Sequence, residues 1–525
     1  LAIVVLVIFR RHAFDLPLET DECNYAYIAG RLLQGDRLYI DVWDHQPFGV
    51  FTLFAAVIAV FGDAPYVFRW LAAGFSIASL VLIFAILRHV AGLRAAGLGA
   101  ILFALVSSDP GTAGEGCNRE IYMNTLILAA WYFALRAVPP LPLRERAGVR
   151  VEGNDTPNPA LIVLSGFSLA LASTIKPIVA VHGLCLAIWI AFQGRSIGRL
   201  AWFALGPLLI WMGTSAYFAL TQRFSEFVEA ALLFNLGYGE SGEAFYMRWF
   251  RFFAPLRHPF IFESALPLWI AGGVSSLWLL GRTIARKHRH APLLLLLIVA
   301  GYIAVCLSGR FWPHYYYLLI PPMVLAATSF VNDLAATVPG ILTRPSGGRA
   351  AVLAVLFLLL PSLVIYSESR NYLLKPLNEI TVKRYNHRDF WGRAQAANVA
   401  AATDPNDEVF VFGNEAEIYY YSRRRCASRY TMITALQVGD SHAIDRMQLL
   451  LRDLELHRPR LILVLFDIPD PPAEWKAFLR EHYTEPVGWD FHDVDGKPIM
   501  FVVARKDSPI RKINWDWDRS LLLTR

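Results

Sequence analysis

Long apolar runs recur through the first 366 residues of this 525-residue chain, and few folds can accommodate them. They lie at about 66–87, 95–108, 119–137, 160–173, 177–193, 200–219, 259–281, 292–308, 318–338 and 350–366. The run at 1–9 reads as a truncated first transmembrane helix rather than a signal peptide, which makes eleven. A bilayer core asks for about 20 apolar residues in helix, because the backbone must satisfy its own hydrogen bonds there. Several runs fall short of that, so their ends are expected to extend into polar flanks or to border a cavity. Composition agrees: 18% of residues are charged against about 25% in soluble domains, and mean hydropathy is +0.40. Disorder, a collagen-like repeat and a disulfide framework are excluded. The five cysteines, at 23, 117, 185, 306 and 426, show no metal-binding or CxxC spacing.

The net charge of +6 is mostly topological. Alternate connections between the runs hold fourteen Lys and Arg residues (88, 94, 136, 144, 146, 150, 195, 199, 282, 286, 287, 289, 344 and 349). The remaining short connections hold three: Arg119, Lys176 and Arg310. Positive residues stay cytoplasmic, so the long loops 10–65 and 220–258, and everything after 366, are expected on the opposite side. That parity requires the 48–61 stretch to be re-entrant or interfacial, with Pro47 in its first turn. Nucleic-acid binding is not expected from clusters placed in this way.

After residue 366 charges become dense and apolar runs shrink to strand length. Residues 408–413, 461–466 and 498–503 read as strands, and 441–457 and 473–482 as helices, which is the pattern of a small α/β domain. The fold class is thus mainly α: a polytopic helical membrane domain over 1–366, followed by a small periplasmic α/β domain over 367–525.

Four polar clusters need a reason at a membrane face. Thr20-Asp21-Glu22 precede an amphipathic helix running to Leu33, where Thr20 or Asp21 suits an N-cap and Glu22 the helix dipole. Asp109 and the run from Glu115 through Asn118, Arg119 and Glu120 flank two helix ends. Lys176-Pro177 is a cation in a tight turn, which snorkelling to headgroups would also explain. Arg310-Phe311-Trp312-Pro313-His314-Tyr315-Tyr316-Tyr317 is a basic aromatic turn that an interfacial belt would also explain. Together they suit transfer from a lipid-anchored phosphate. A carboxylate deprotonates an acceptor hydroxyl, and Lys176, Arg310 or His314 offsets charge on the departing phosphate. Arg11, Arg31 and Arg37 could add to that field, although solvation accounts for them as well. No Walker loop or GxGxxG turn follows a strand, so a soluble nucleotide donor is not indicated. No cofactor or metal is expected, because no His/Asp/Glu cluster has ligand spacing.

Asp21-Glu22 followed by Tyr25-Ala26-Tyr27-Ile28-Ala29, then Trp43-Asp44-His45-Gln46-Pro47, resembles the first extracytoplasmic loop of the glycosyltransferase C superfamily. Its protein-mannosyltransferase-like branch, which includes lipid A aminoarabinose transferases, is the nearest in pattern. Asn118-Arg119-Glu120, Lys176-Pro177, and His314-Tyr315-Tyr316 leading to Pro321-Pro322 follow in the family's order. Val411-Phe412-Gly413-Asn414, Glu417-Ile418-Tyr419 and Ser428-Arg429-Tyr430 resemble the start of its soluble domain. The resemblance implies an inverting transferase in a bacterial inner membrane, with a cytoplasmic N-terminus, that takes sugar from a polyprenyl phosphate on the periplasmic face. It implies Asp21 as the catalytic acid with Glu22 beside it, and Glu120 or Asp109 as a second acid. Asp44, His45 and Gln46 belong to the first-loop motif, with Gln46 where many members carry a lysine. The acceptor, whether glycan, lipid or protein, is not implied. The loop at 220–258, rich in Phe, Tyr and Trp, resembles the family's mobile outer loop, and its aromatic spacing fits an amphipathic helix on the membrane, read either as a lid over the lipid donor or as an interfacial anchor. Asn154-Asp155-Thr156 fits a glycosylation sequon but is placed on the cytoplasmic side. A lipid-linked sugar flippase and a non-catalytic subunit of a polysaccharide-assembly complex remain the alternatives at this point.

Overall fold

Each apolar run of the first 366 residues folds as helix. The computed structural model describes residues 1–137, 158–194, 197–240, 243–254, 260–285, 289–341, 348–376, 379–380, 388–438, 443–465, 472–484, 491–492 and 498–507. The Asn154 sequon lies outside them. By length and composition, three described helices suffice to cross a membrane: Pro65–Val90, Gly198–Leu220 and Pro313–Ala336. Others are apolar but shorter, among them Leu93–Val106, Pro159–Ser173 and Ala291–Leu307. The chain is therefore a mainly α membrane protein with a small sheet.

The chain divides into two compact units, Leu1–Phe14, Arg69–Tyr217 and Gly242–Lys375 in one, and Asp15–Phe68, Phe218–Ser241 and Pro376–Arg525 in the other. In the first, the Leu93–Val106 helix is central, with ten of its fourteen residues buried. It packs against Ala2–Phe9, Ile320–Ile341 and Gly348–Glu368, so its neighbours rather than lipid cover a helix too short to span alone. Arg10, fully buried, donates to Ser76 Oγ (3.2 Å) and to the carbonyls of Ser107 (3.3 Å) and Gly116 (2.8 Å). Those bonds offset the cost of burying a guanidinium and pin both ends of the 107–116 loop.

The second unit holds a five-stranded sheet in the order β2-β1-β3-β5-β4. β1 (Glu408–Phe412) runs parallel to β2 (Arg425–Cys426) and β3 (Leu461–Leu465), while β5 (Pro498–Ala504) is antiparallel to β3 and to β4 (Phe491–His492). All five residues of β3 are buried, as the uninterrupted Leu-Ile-Leu-Val-Leu run requires. The Ala443–His457 and Ala473–His482 helices occur as their periodicity indicates, and Trp475 of the latter stacks on Phe412 at 4.2 Å.

Thr20–Leu33 and Gly49–Phe61 pack on one another in this unit, with the Tyr25 ring meeting Phe51 and Phe54. Three sequence expectations are corrected here. The N-cap of Thr20–Leu33 is Glu19, not Thr20 or Asp21, because Glu19 and Glu22 form a reciprocal capping box. Pro47 precedes the Gly49–Phe61 helix rather than opening it, since the N-cap is Phe48. The 220–258 loop is not one amphipathic helix but four pieces: Phe224–Val228, a π-helical turn Glu229–Leu233, Phe234–Glu240 and Phe245–Arg251. Its aromatics divide accordingly: Phe227 and Phe234 are buried, whereas Phe245, Tyr246 and Phe250 are exposed.

Small residues allow close helix approach in the first unit. A Cβ on Gly206 would collide with the backbone of Gly166 and Phe167, and one on Gly166 with the Phe203 carbonyl. Ser173 accepts from Trp211 Nε1 (2.9 Å) across the same pair of helices. Gly206→Ala should therefore destabilise the protein by roughly 1–3 kcal/mol. Gly213→Ala, on the same helix with open space around it, should stay within about 0.5 kcal/mol of wild type. Thermal unfolding of the detergent-solubilised variants distinguishes them, and equal effects would contradict this packing.

Candidate active site

The candidate residues form two sets, one in each unit. In the first unit, Pro177 forces Lys176 into extended backbone (φ −155°, ψ 124°), which ends the Pro159–Ser173 helix and turns the lysine inward. Its Nζ lies 3.1 Å from Glu120 Oε1 and 3.5 Å from the centre of the Tyr315 ring. Glu120 is 1% exposed and sits at the start of Arg119–Ala137; Arg119 Nε is 3.9 Å from the same oxygen. His314 meets Tyr315 edge-on at 4.7 Å, and Glu120 feels the fields of Lys176, His314 and Arg119. The other oxygen, Glu120 Oε2, is buried without a hydrogen-bond partner. Two cations, Lys176 and Arg119, thus lie within 4 Å of one buried carboxylate oxygen. Arg310 is half-buried in the turn leading to His314, its backbone N–H donating to Ser308 Oγ at 3.4 Å.

Asp109 is fully buried and accepts hydrogen bonds from Thr112 Oγ1 (3.0 Å) and from Ser264 Oγ. Burial pushes its carboxyl up to about 6, against the opposing pull of those hydrogen bonds. Sequence reasoning did not single out Glu368, whose two carboxylate oxygens are buried without hydrogen-bond partners and which feels the charges of Asp109 and Glu115. Its position at the end of an apolar helix carries no signal of those neighbours.

In the second unit, Asp21 and Glu22 are neighbours with different surroundings. Glu22 is fully buried and its Oε2 accepts from the Glu19 backbone N–H at 3.0 Å, so it closes the capping box. Asp21 is half-buried and its carboxylate accepts from the Tyr25 hydroxyl at 3.4 Å, one turn along the helix. Asp21 is thus the more available acid. Asp44 is occupied: Oδ2 accepts from Asn24 Nδ2 (2.6 Å) and Oδ1 from the Gln46 N–H (2.8 Å), an Asx-turn. His45 Nδ1 lies 3.4 Å from Asp44 Oδ1, and the Gln46 amide reaches His45 Nε2. The His45 ring lies against Phe234 (5.4 Å) and Tyr238 (5.1 Å), and Asn235 Nδ2 donates to its carbonyl (2.7 Å). Gln46 is 3% exposed and its Oε1 is buried with no partner. Arg31 pairs with Asp36 (2.7 Å) and Arg37 with Asp41 (2.8 Å), so both first-loop arginines are neutralised locally. In the other unit, Arg11 donates to the Leu373 carbonyl. Asn24, Asn235 and Thr431 were missed by sequence reasoning, and only Asn24, one turn after Asp21, offered any local hint.

The fold that carries these two sets is shared with solved membrane glycosyltransferase structures. Among solved structures, ArnT from Cupriavidus metallidurans in the apo state aligns with a TM-score of 0.59 over 95% of this chain and 96% of that one, at 17% sequence identity. ArnT bound to undecaprenyl phosphate aligns over the same shares with a TM-score of 0.57 and 17% identity. The archaeal oligosaccharyltransferase AglB from Archaeoglobus fulgidus, in complex with an inhibitory peptide and a dolichol-phosphate, gives 0.47 at 13% identity, covering 88% of this chain and 69% of that one. No protein-family model and no curated protein sequence matches the chain.

The Asp109 environment yields a signed pH effect. Its folded-state value of about 6 lies above the unfolded value near 3.9, so the folded state holds the proton more tightly. That contribution is complete below about pH 4 and is lost as pH rises through 6. Asp109→Asn, neutral throughout, should therefore gain stability relative to wild type between pH 4 and pH 7, by on the order of 2–3 kcal/mol. A melting-temperature difference that stays flat across this window would refute the assignment.

Proposed function

We propose that the protein is an integral membrane glycosyltransferase that takes a sugar from a polyprenyl-phosphate donor and passes it to an acceptor on the periplasmic face of a bacterial inner membrane. The observation that carries this reading is fold likeness over nearly the whole of both chains to ArnT, which has been solved with undecaprenyl phosphate bound. In this reading the N-terminus is cytoplasmic and the C-terminal α/β region periplasmic, as the distribution of Lys and Arg supports.

Asp21 acts as the base. It takes the proton from an acceptor hydroxyl as that oxygen attacks the anomeric carbon from the face opposite the phosphate, and inversion follows. Glu22 supports the helix that presents Asp21, since its carboxylate is committed to the capping box. As the glycosidic bond to phosphate breaks, negative charge grows on the leaving group, and Lys176, Arg310 and His314 offset it. The gathering of Lys176, Arg119 and His314 about Glu120 supports that role. Gln46 contributes no charge, so donor-phosphate binding depends more heavily on these side chains than where a lysine stands in the first loop. A flippase reading is disfavoured because Glu120 and Lys176 stand at helix ends, whereas transport sites favour broken helices at the bilayer midplane.

Turnover of undecaprenyl-phosphate-linked hexoses and pentoses by the purified protein tests the proposal. Asp21→Asn should abolish transfer while leaving membrane insertion and undecaprenyl phosphate binding intact, and retained turnover would remove Asp21 from the chemistry. Lys176→Gln should weaken apparent donor affinity about tenfold with little change in the acceptor KM. Unchanged donor affinity in a folded sample would exclude the lysine from phosphate binding.

A further inference from the structure

We propose that Thr431 and Asn24 are positioning residues that set the first-loop motif through a buried relay ending on the Gln46 backbone, an inference that rests on the transferase reading. All members lie in the second unit. Thr431 Oγ1 donates to Asn24 Oδ1 at 2.6 Å, Asn24 Nδ2 donates to Asp44 Oδ2 at 2.6 Å, and the Gln46 N–H donates to Asp44 Oδ1 at 2.8 Å. Thr431 and Asn24 are each 1% exposed, so neither has water as a substitute partner.

The direction of the relay follows from chemistry. An ionised carboxylate only accepts, so the Asn24 amide must turn its nitrogen to Asp44, which leaves its oxygen needing a donor. Thr431 is that donor. Without its hydroxyl the amide oxygen is buried unsatisfied, and rotating to recover a partner takes the nitrogen off Asp44. The Asx-turn that shapes Asp44-His45-Gln46 then loses its anchor. Backbone contacts run alongside: Trp43 N–H donates to the Arg429 carbonyl (2.9 Å), Trp43 pairs with Tyr430, and Arg429 is clamped to Asp453 at 3.0 Å through two nitrogens.

The same segment also holds the Asp21 helix. Thr20 Oγ1 donates to Glu417 Oε2 (3.0 Å), and Tyr27 OH accepts from the Cys426 N–H (2.8 Å). Residues 20, 24 and 27 share one helix face at i, i+4 and i+7 spacing, and Asp21 flanks it, one turn before Asn24. The residues from 417 to 431 are therefore the scaffold for both parts of the first-loop set, rather than only the start of a separate acceptor-binding module.

Thr431→Val, which keeps shape and removes the hydroxyl, tests this beside Thr431→Ser, which keeps the hydroxyl. In the full-length protein in detergent, hydrogen exchange at the Gln46 amide should accelerate about tenfold in the valine variant and return to the wild-type rate with serine. In transfer assays with an undecaprenyl-phosphate-linked sugar, kcat should fall about tenfold with donor KM within about twofold, again restored by serine. Asn24→Ala combined with Thr431→Val should be no worse than Asn24→Ala alone, because both break one relay. Wild-type exchange at Gln46 in the valine variant overturns the relay. Faster exchange with unchanged kcat overturns the positioning role. Wild-type protein that binds undecaprenyl phosphate yet transfers no sugar overturns the transferase reading instead, and the Gln46 exchange rates still decide the relay.

Discussion

A carboxylate removed from water must be met by cations or hydrogen bonds, and the pairing of Glu120 with Lys176 is the clearest case in this chain. At 3.1 Å, with Glu120 1% exposed, the attraction offsets the desolvation of both partners, and removing either one would leave a buried charge without that compensation. The pair dictates local structure on three elements. It fixes the start of the Arg119–Ala137 helix, the extended residue before Pro177, and the Tyr315 ring whose face lies 3.5 Å from the ammonium. Arg119 Nε lies 3.9 Å from the same oxygen, so two cations approach one side of the carboxylate.

The first-loop set solves a similar problem by hydrogen bonding. Asp44 meets an amide, a backbone N–H and a histidine. A carboxylate held by directional neutral donors fixes geometry more than it fixes charge. Glu22 is similarly spent on a backbone N–H. Of the candidate acids Asp21, Glu22 and Asp44, Asp21 alone keeps a partly open position, and one long contact from Tyr25 orients it without saturating it. Selection among the three is thus made by hydrogen-bond inventory rather than by proximity in sequence.

What could be read from the chain alone follows the range of the interactions. Helices such as Pro65–Val90 and the strand Leu461–Leu465 were legible because hydrophobic runs of a given length leave few alternatives. The Glu19 cap was missed because Ser, Thr and Asp rank above Glu as caps, and the Glu19–Glu22 reciprocity is visible only in geometry. The 220–258 aromatics gave a helical period, but a π-helical turn at Glu229–Leu233 interrupts it between the buried Phe227 and Phe234. Thr431 and Asn24 meet across 407 positions, and nothing in local spacing marks Thr431. The candidate acids were legible as chemistry; which of them is committed to structure was not.

Gln46 shows how these constraints combine. A lysine at this position would bring a charge into a site that is 3% exposed, beside a histidine packed between Phe234 and Tyr238. Its ammonium would need an acceptor there, and the Asp44 oxygens already accept from Asn24 and from the backbone. A neutral amide brings no such charge: the Gln46 side chain meets His45 Nε2, and His45 Nδ1 lies 3.4 Å from Asp44 Oδ1. The Asp44-His45-Gln46 segment is thus organised by hydrogen bonds about a carboxylate rather than by a cation at position 46.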